Sequence, residues 1–88
     1  MTLYANDFSK VFSKLLKKAD VSCYSISRYT NLDEGYLSRL RSGKKKNPSP
    51  ETIVKISLAI CHYAKNIGLF EVEDLFNSVG RSLLSIKD

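Results

Sequence analysis

Between Ser22 and Gly43 the chain has room for two short helices and almost nothing between them. Ser22 is a natural helix N-cap, because its hydroxyl can accept a hydrogen bond from a free N–H of the first turn. Asn31 tolerates the left-handed conformation that closes a helix. Asp33 is a second N-cap, and Gly43 a second stop. These residues predict helices over about 23–29 and 34–41, joined by a turn of three or four residues. Two helices so joined cross at a steep angle. The crossing requires a small residue where the second helix approaches the first, a residue that accepts positive φ in the turn, and apolar side chains at the contact. Ser27 meets the first condition, Asn31 the second, and Ile26, Leu32, Leu37 and Leu40 the third.

The rest of the chain also reads as helix. Phe8, Val11, Phe12, Leu15 and Leu16 recur at the i, i+3, i+4, i+7, i+8 spacing of one helical face, with Lys10, Lys14, Lys17 and Lys18 elsewhere on it. Asn6 or Asp7 can cap this helix, and Asp20 and Val21 end it. Ser49-Pro50-Glu51 supplies a cap, a proline at the first helical position and an acid in the first turn. The helix it opens is expected to run to about Lys65. Its Ile53, Val54, Ile56, Leu58, Ala59, Ile60 and Tyr63 are apolar on more than one side, which predicts a central helix packed on several neighbours. Asn66 and Gly68 break it. A fifth helix, over about 70–86, carries Val72, Leu75, Phe76, Val79 and Leu83 on one stripe. No alternating apolar run bounded by turns appears, so no strand is expected. The expected architecture is one all-α domain of five helices over residues 1–88.

Several function classes are disfavoured. A chain of 88 residues buries only about 60–65% of its unfolded surface, leaving little volume for a deep substrate cavity. No apolar run approaches the roughly 20 residues that span a bilayer, and the N-terminus lacks a basic start followed by an apolar block, so a cytoplasmic protein is expected. A zinc site takes about four ligands, and Cys23, Cys61 and His62 form no such cluster. Both cysteines read as reduced, half-buried helix residues. With no nucleophile–base constellation and no glycine-rich phosphate loop, neither an enzyme nor a cofactor is expected.

Charge is segregated along the chain. The first fifty residues carry ten lysines and arginines against four acids, whereas the remainder carries four against five. A basic half of this kind attracts polyanions, of which nucleic acid is the commonest.

The stretch Ser22-Cys-Tyr-Ser-Ile-Ser-Arg-Tyr-Thr-Asn-Leu-Asp-Glu-Gly-Tyr-Leu-Ser-Arg-Leu-Arg-Ser-Gly43 resembles the Cro/repressor-type helix-turn-helix of the XRE family. The residues carrying the resemblance are Ser27, Asn31, Leu32 and the run Leu37-Ser38-Arg39-Leu40-Arg41-Ser42-Gly43, together with the Pro50 helix start. It implies a five-helix, lambda-repressor-like domain that binds double-stranded DNA, usually as a dimer on a pseudo-palindromic operator. A transcriptional regulator follows, a repressor ahead of an activator. Three residues depart from the pattern. Asn31 replaces the usual glycine, and Thr30 sits where an aliphatic is common, which predicts a weaker contact there. Arg41 stands where the family often has a glutamate paired with a helix-one arginine. That partner position is Leu16 here, so the pair is absent and Arg41 is free for phosphate.

With the second helix of the pair in the major groove, its outward positions Glu34, Gly35, Tyr36, Ser38 and Arg39 are the expected base contacts. Arg39 is the best reader, because its fork matches guanine O6 and N7. Glu34 can accept from cytosine N4 or simply stabilise the helix dipole. Gly35 suggests close approach to DNA or a tolerated weak spot, and Tyr36 a stacking contact or plain surface. Expected backbone contacts are Ser22, Cys23 and Tyr24 at a helix N-terminus, Arg41, and the loop Lys44-Lys45-Lys46. The last helix is the expected dimer interface through Val72, Leu75, Phe76, Val79, Leu83 and Leu84. The competing reading is that its stripe closes the monomer core. An antitoxin or a protein-interaction module on the same fold is the alternative function, with acidic Glu71, Glu73 and Asp74 facing a protein partner.

Overall fold

The computed structural model describes residues 8–78. Five helices follow in order: α1 (Phe8–Ala19), α2 (Cys23–Thr30), α3 (Glu34–Ser42), α4 (Pro50–Tyr63) and α5 (Leu69–Asn77). No strand occurs among the described residues, so the fold is all-α as expected. None of the described helices is long and apolar enough to cross a membrane.

Local chemistry sets most of the boundaries. Ser22, Asp33 and Ser49 each accept a first-turn N–H at the start of α2, α3 and α4. Asn31 and Gly43 both take the left-handed conformation expected of them, at φ 68° and 89°. The end of α1 has the same device in a residue not expected to supply it. Asp20 sits at φ 58°. Its N–H donates to the Lys17 carbonyl at 3.2 Å, and the Val21 N–H reaches back to the Leu16 carbonyl at 3.0 Å. This bond pair is the Schellman arrangement that satisfies carbonyls at a helix end. At α4 the helix stops at Tyr63 because Ala64 turns extended, and Ala64 and Ile67 are then buried.

The turn between α2 and α3 is held by two hydroxyls. Ser27 Oγ donates to the Leu32 carbonyl at 2.6 Å. Thr30 Oγ1 donates to the Ile26 carbonyl at 2.7 Å and accepts from the Leu32 N–H at 3.1 Å. Thr30 therefore ties the turn with two hydrogen bonds where an aliphatic side chain would supply only packing. Beneath it, Ile26, Leu37 and Leu40 are fully buried with Phe12, Leu16, Ile53, Ile56, Ile60 and Leu75. At the outer end of α2, the Tyr29 ring stacks on His62 of α4 with centroids 4.5 Å apart.

Helix α4 packs on α1, α2 and α5, as a central helix should. The expectation of burial nearly all round is corrected, however. Ile53, Ile56, Ala59 and Ile60 face the core, whereas Val54, Leu58 and Tyr63 are exposed. Val54, Leu58 and Cys61 line a groove beside α5 instead. In α5, Val72, Leu75 and Phe76 are buried in the chain's own core. They were expected at a dimer interface, and their burial answers to the competing reading, that the stripe closes the core. The other expected interface residues, Val79, Leu83 and Leu84, lie outside the described residues, as do the helix's continuation to 86 and the expected Asn6 or Asp7 cap. The cysteines differ from expectation too: Cys23 is buried and Cys61 exposed.

Glu71 docks α5 onto α1. One carboxylate oxygen accepts from Lys18 Nζ at 3.0 Å, and the other accepts the Gly68 N–H at 2.8 Å. The Lys18 hydrogen bond and then the Gly68 N–H hold the Glu71 carboxyl below the usual carboxylate range. Asn66 Nδ2 adds a bond to the Lys18 carbonyl at 3.2 Å.

The Thr30→Val substitution tests the hydroxyl-tied turn. It removes both bonds and leaves the half-buried Leu32 N–H without its partner, so urea denaturation should show a loss of about 1 kcal/mol. Unchanged or higher stability would mean that the aliphatic contact outweighs the hydrogen bonds.

Candidate nucleic-acid interface

The rotation of α3 is set by what it buries. Leu37 and Leu40 are both 0% exposed, which leaves Glu34, Gly35, Ser38 and Arg39 turned outward. Asp33 caps the helix, its Oδ2 accepting the Tyr36 N–H at 2.9 Å. Four of the five expected base-reading positions therefore share one open surface. Tyr36 does not fully join them. Its side chain is half-buried and packs against the core, because its position lies next to the buried face of Leu37 and Leu40.

Gly35 has a local reason that periodicity did not reveal. A Cβ at this position would lie 3.0 Å from Asp33 Oδ2 and 3.4 Å from Arg39 Nη1. Glycine thus leaves space for the capping carboxylate. It also lets the Arg39 guanidinium lie back along α3 toward its first turn, the direction in which long helical side chains lean. The N–H donors of Arg39 are thereby carried toward the first turn of α3.

The start of α2 forms a second part of the surface. Ser22 Oγ accepts from the Ser25 N–H at 3.1 Å and donates to Ser25 Oγ at 3.2 Å. The cap uses neither the Cys23 nor the Tyr24 N–H, so both remain as first-turn donors at the positive end of the helix. Ser22 and Tyr24 are exposed. Cys23 can contribute only its backbone, since its side chain is buried. Burial pushes the Cys23 thiol above its ordinary range, and the neighbouring Arg41 guanidinium offsets part of that. Arg41 is half-buried, and its carbonyl accepts from Ser13 Oγ at 3.3 Å. Its side chain stands beside Lys17 and Ser22, around a cleft of about 340 Å³ between the end of α1 and the start of α2. The expectation that Arg41 stands clear for phosphate is thus modified: it is anchored against Cys23 and also faces this cleft. Arg28, not singled out in the sequence, donates to Tyr24 Oη at 3.1 Å and adds a cation to the exposed side of α2.

The lysine loop is pinned at both ends. Gly43 and Asn47, at φ 89° and 55°, bracket it. The Lys45 N–H donates to the Arg39 carbonyl at 3.0 Å, and Pro48 is buried. Lys44, Lys45 and Lys46 remain exposed immediately after α3. A buried proline and a backbone bond to α3 hold the three ammonium groups near the end of that helix.

An outward-facing α3, a capped α2 with unused N–H donors, and a cationic loop thus lie consecutively in the chain. Residues 11–60 match the family model of the Cro/C1-type HTH DNA-binding domain, a span that includes α2, α3, the lysine loop and most of α4. No curated protein and no solved structure matches the chain. The match covers more than half of the sequence and the helix pair at its centre is built as described, so the chain belongs to the Cro/C1-type helix-turn-helix DNA-binding family.

Proposed function

We propose that this protein is a transcriptional repressor that reads a double-stranded operator with α3 in the major groove. The observation that carries the reading is the open face of Glu34, Gly35, Ser38 and Arg39, held by buried Leu37 and Leu40. Repression suits a domain that recognises DNA and occupies it. On this reading the protein works in the cytoplasm, where it meets the nucleoid. Selection from a randomised duplex library, followed by binding across a salt series, tests it. A recognisable site whose affinity falls steeply with salt is expected. Failure to enrich any site would favour the antitoxin or protein-interaction reading, for which the exposed Leu58, Leu69 and Phe70 offer a surface.

The base contacts are Arg39 first, then Glu34, Ser38 and the approach at Gly35, with Tyr36 at the edge. The Arg39→Ala variant should lose about 1–3 kcal/mol on the selected site and relax preference at one base pair. Equal loss on every sequence would reassign Arg39 to phosphate.

Ser22, the N–H groups of Cys23 and Tyr24, Arg41 and the lysine loop take backbone phosphates. Replacing Lys44, Lys45 and Lys46 together by alanine should weaken specific and non-specific binding alike. The log–log salt slope should flatten by about 0.9 for each phosphate no longer neutralised. An unchanged slope would return the loop to ordinary solvated surface.

The protein acts as a homodimer on a pseudo-palindromic site, since one helix pair reads few base pairs and a two-fold dimer reads half-sites about 34–36 Å apart. The support is the groove of about 340 Å³ between α4 and α5, where Leu58 and Leu69 are 58% and 51% exposed. Light scattering without DNA should give a dimer, and Leu58→Glu or Leu69→Glu should give a monomer with unchanged helical circular dichroism. A monomeric wild type across the micromolar range would defeat the dimer in free solution.

A further inference from the structure

Of the cations of α1, only Lys17 enters the interface described so far, at the cleft beside Ser22. Lys10, Lys14 and Lys17 follow one another at i, i+4 and i+7, so they share a helical face. Like charges at these spacings disfavour a helix. All three are exposed, and none forms an ion pair among the described residues, whereas Lys18, one turn beyond Lys14, is paired with Glu71, and Lys14 also borders the cleft that holds Lys18, Glu71 and Asp74. No ion pair among the described residues therefore accounts for their arrangement.

They converge on a cleft of about 390 Å³ between α1 and the C-terminal end of α3, lined by Ser9, Lys10, Ser13, Lys14, Lys17 and Arg41. Among the described residues no carboxylate lines it, and the acids Glu71 and Asp74 border Lys14 on its other side. Ser13 closes its floor by donating to the Arg41 carbonyl, which ties α1 to α3. At one end, Lys17 and Arg41 also line the cleft that holds Ser22 and the start of α2. At the other end Ser9 lies against Gly43, where a Cβ would come 3.4 Å from Ser9 Oγ, and Gly43 leads directly into the lysine loop. The cationic cleft thus joins the two sites proposed for phosphate, the α2 N-terminus and the Lys44–Lys46 loop.

We infer that this cleft is a third backbone-binding site, in which Lys10, Lys14, Lys17 and Arg41 hold phosphates of the duplex flanking the bases read by α3. The inference rests on the DNA-binding reading above. The ligand is the phosphodiester backbone. Four cations with two serine hydroxyls recognise anionic oxygens, and the cleft is continuous with surfaces that suit the same duplex. The site carries affinity without base preference, because phosphates carry no sequence information directly.

The test compares wild type with the triple variant Lys10→Ala, Lys14→Ala, Lys17→Ala, on the selected duplex and on a random duplex, across a salt series. Alanine favours helix, so α1 is retained, and circular dichroism checks this. The salt slope should flatten by about 0.9 for each phosphate no longer held, up to about 2.7 for three, equally on both duplexes. The charge-keeping triple Lys→Arg variant should retain the wild-type slope. Ethylation interference should lose its signal at flanking phosphates in the alanine variant and keep it at those nearest the base pair read by Arg39. A slope unchanged by the α1 variant but flattened by the lysine-loop variant would overturn the inference and leave the DNA-binding reading intact. Absence of duplex binding by the wild type would instead overturn that reading, and the cleft's assignment with it.

Discussion

The open face of α3 depends on the angle between α2 and α3, and the three residues after Thr30 set that angle. Asn31 takes a left-handed conformation that costs a non-glycine residue free energy. The return comes from the bonds that this geometry allows. The Asn31 N–H caps the Ser27 carbonyl at 2.7 Å, and the Ser27 and Thr30 hydroxyls take both polar groups of Leu32. With its backbone satisfied, Leu32 can sit half-buried against the core, and Asp33 is left in position to cap α3. A different turn would rotate Leu37 and Leu40 out of the core and turn Arg39 away from the open face.

Electrostatics follow from the same packing. Glu71 faces α1 and pairs with Lys18, and Lys14 lies between the cleft lined by Glu71 and Asp74 and the cationic one. Lys18 is paired with α5 through an exposed bridge, and among the described residues Lys10, Lys14 and Lys17, with Arg41 beside them, form no ion pair. Leu16 is buried nearby, and the Arg41 guanidinium settles against Cys23.

Other residues show why stripes in a sequence are incomplete guides. Val72, Leu75 and Phe76 look alike whether they close a monomer or join two, because helical periodicity records that a face is apolar and not what covers it. Val54 and Leu58 on α4 have the opposite outcome: apolar residues on a central helix, left open beside a groove. Gly35 and Tyr36 depend on contacts with Asp33, Arg39 and the core that no spacing rule contains.

By itself the sequence determined what depends on neighbours three or four residues away. The caps at Ser22, Asp33 and Ser49, the stops at Asn31 and Gly43, the five helices and the inward Leu37 and Leu40 all follow from hydrogen bonds and periodicities that short. The helix pair and four of its outward positions, all but Tyr36, were legible for the same reason. Tertiary structure alone decided which apolar stripes are covered and which polar atoms find partners across the fold. The Lys18–Glu71 bridge spans α1 to α5, the Ser13–Arg41 bond spans α1 to α3, and the cationic cleft draws residues from both of those helices. Such contacts join residues far apart in the chain. Their geometry is fixed only when the core of α1, α3, α4 and α5 packs, and no local pattern encodes it.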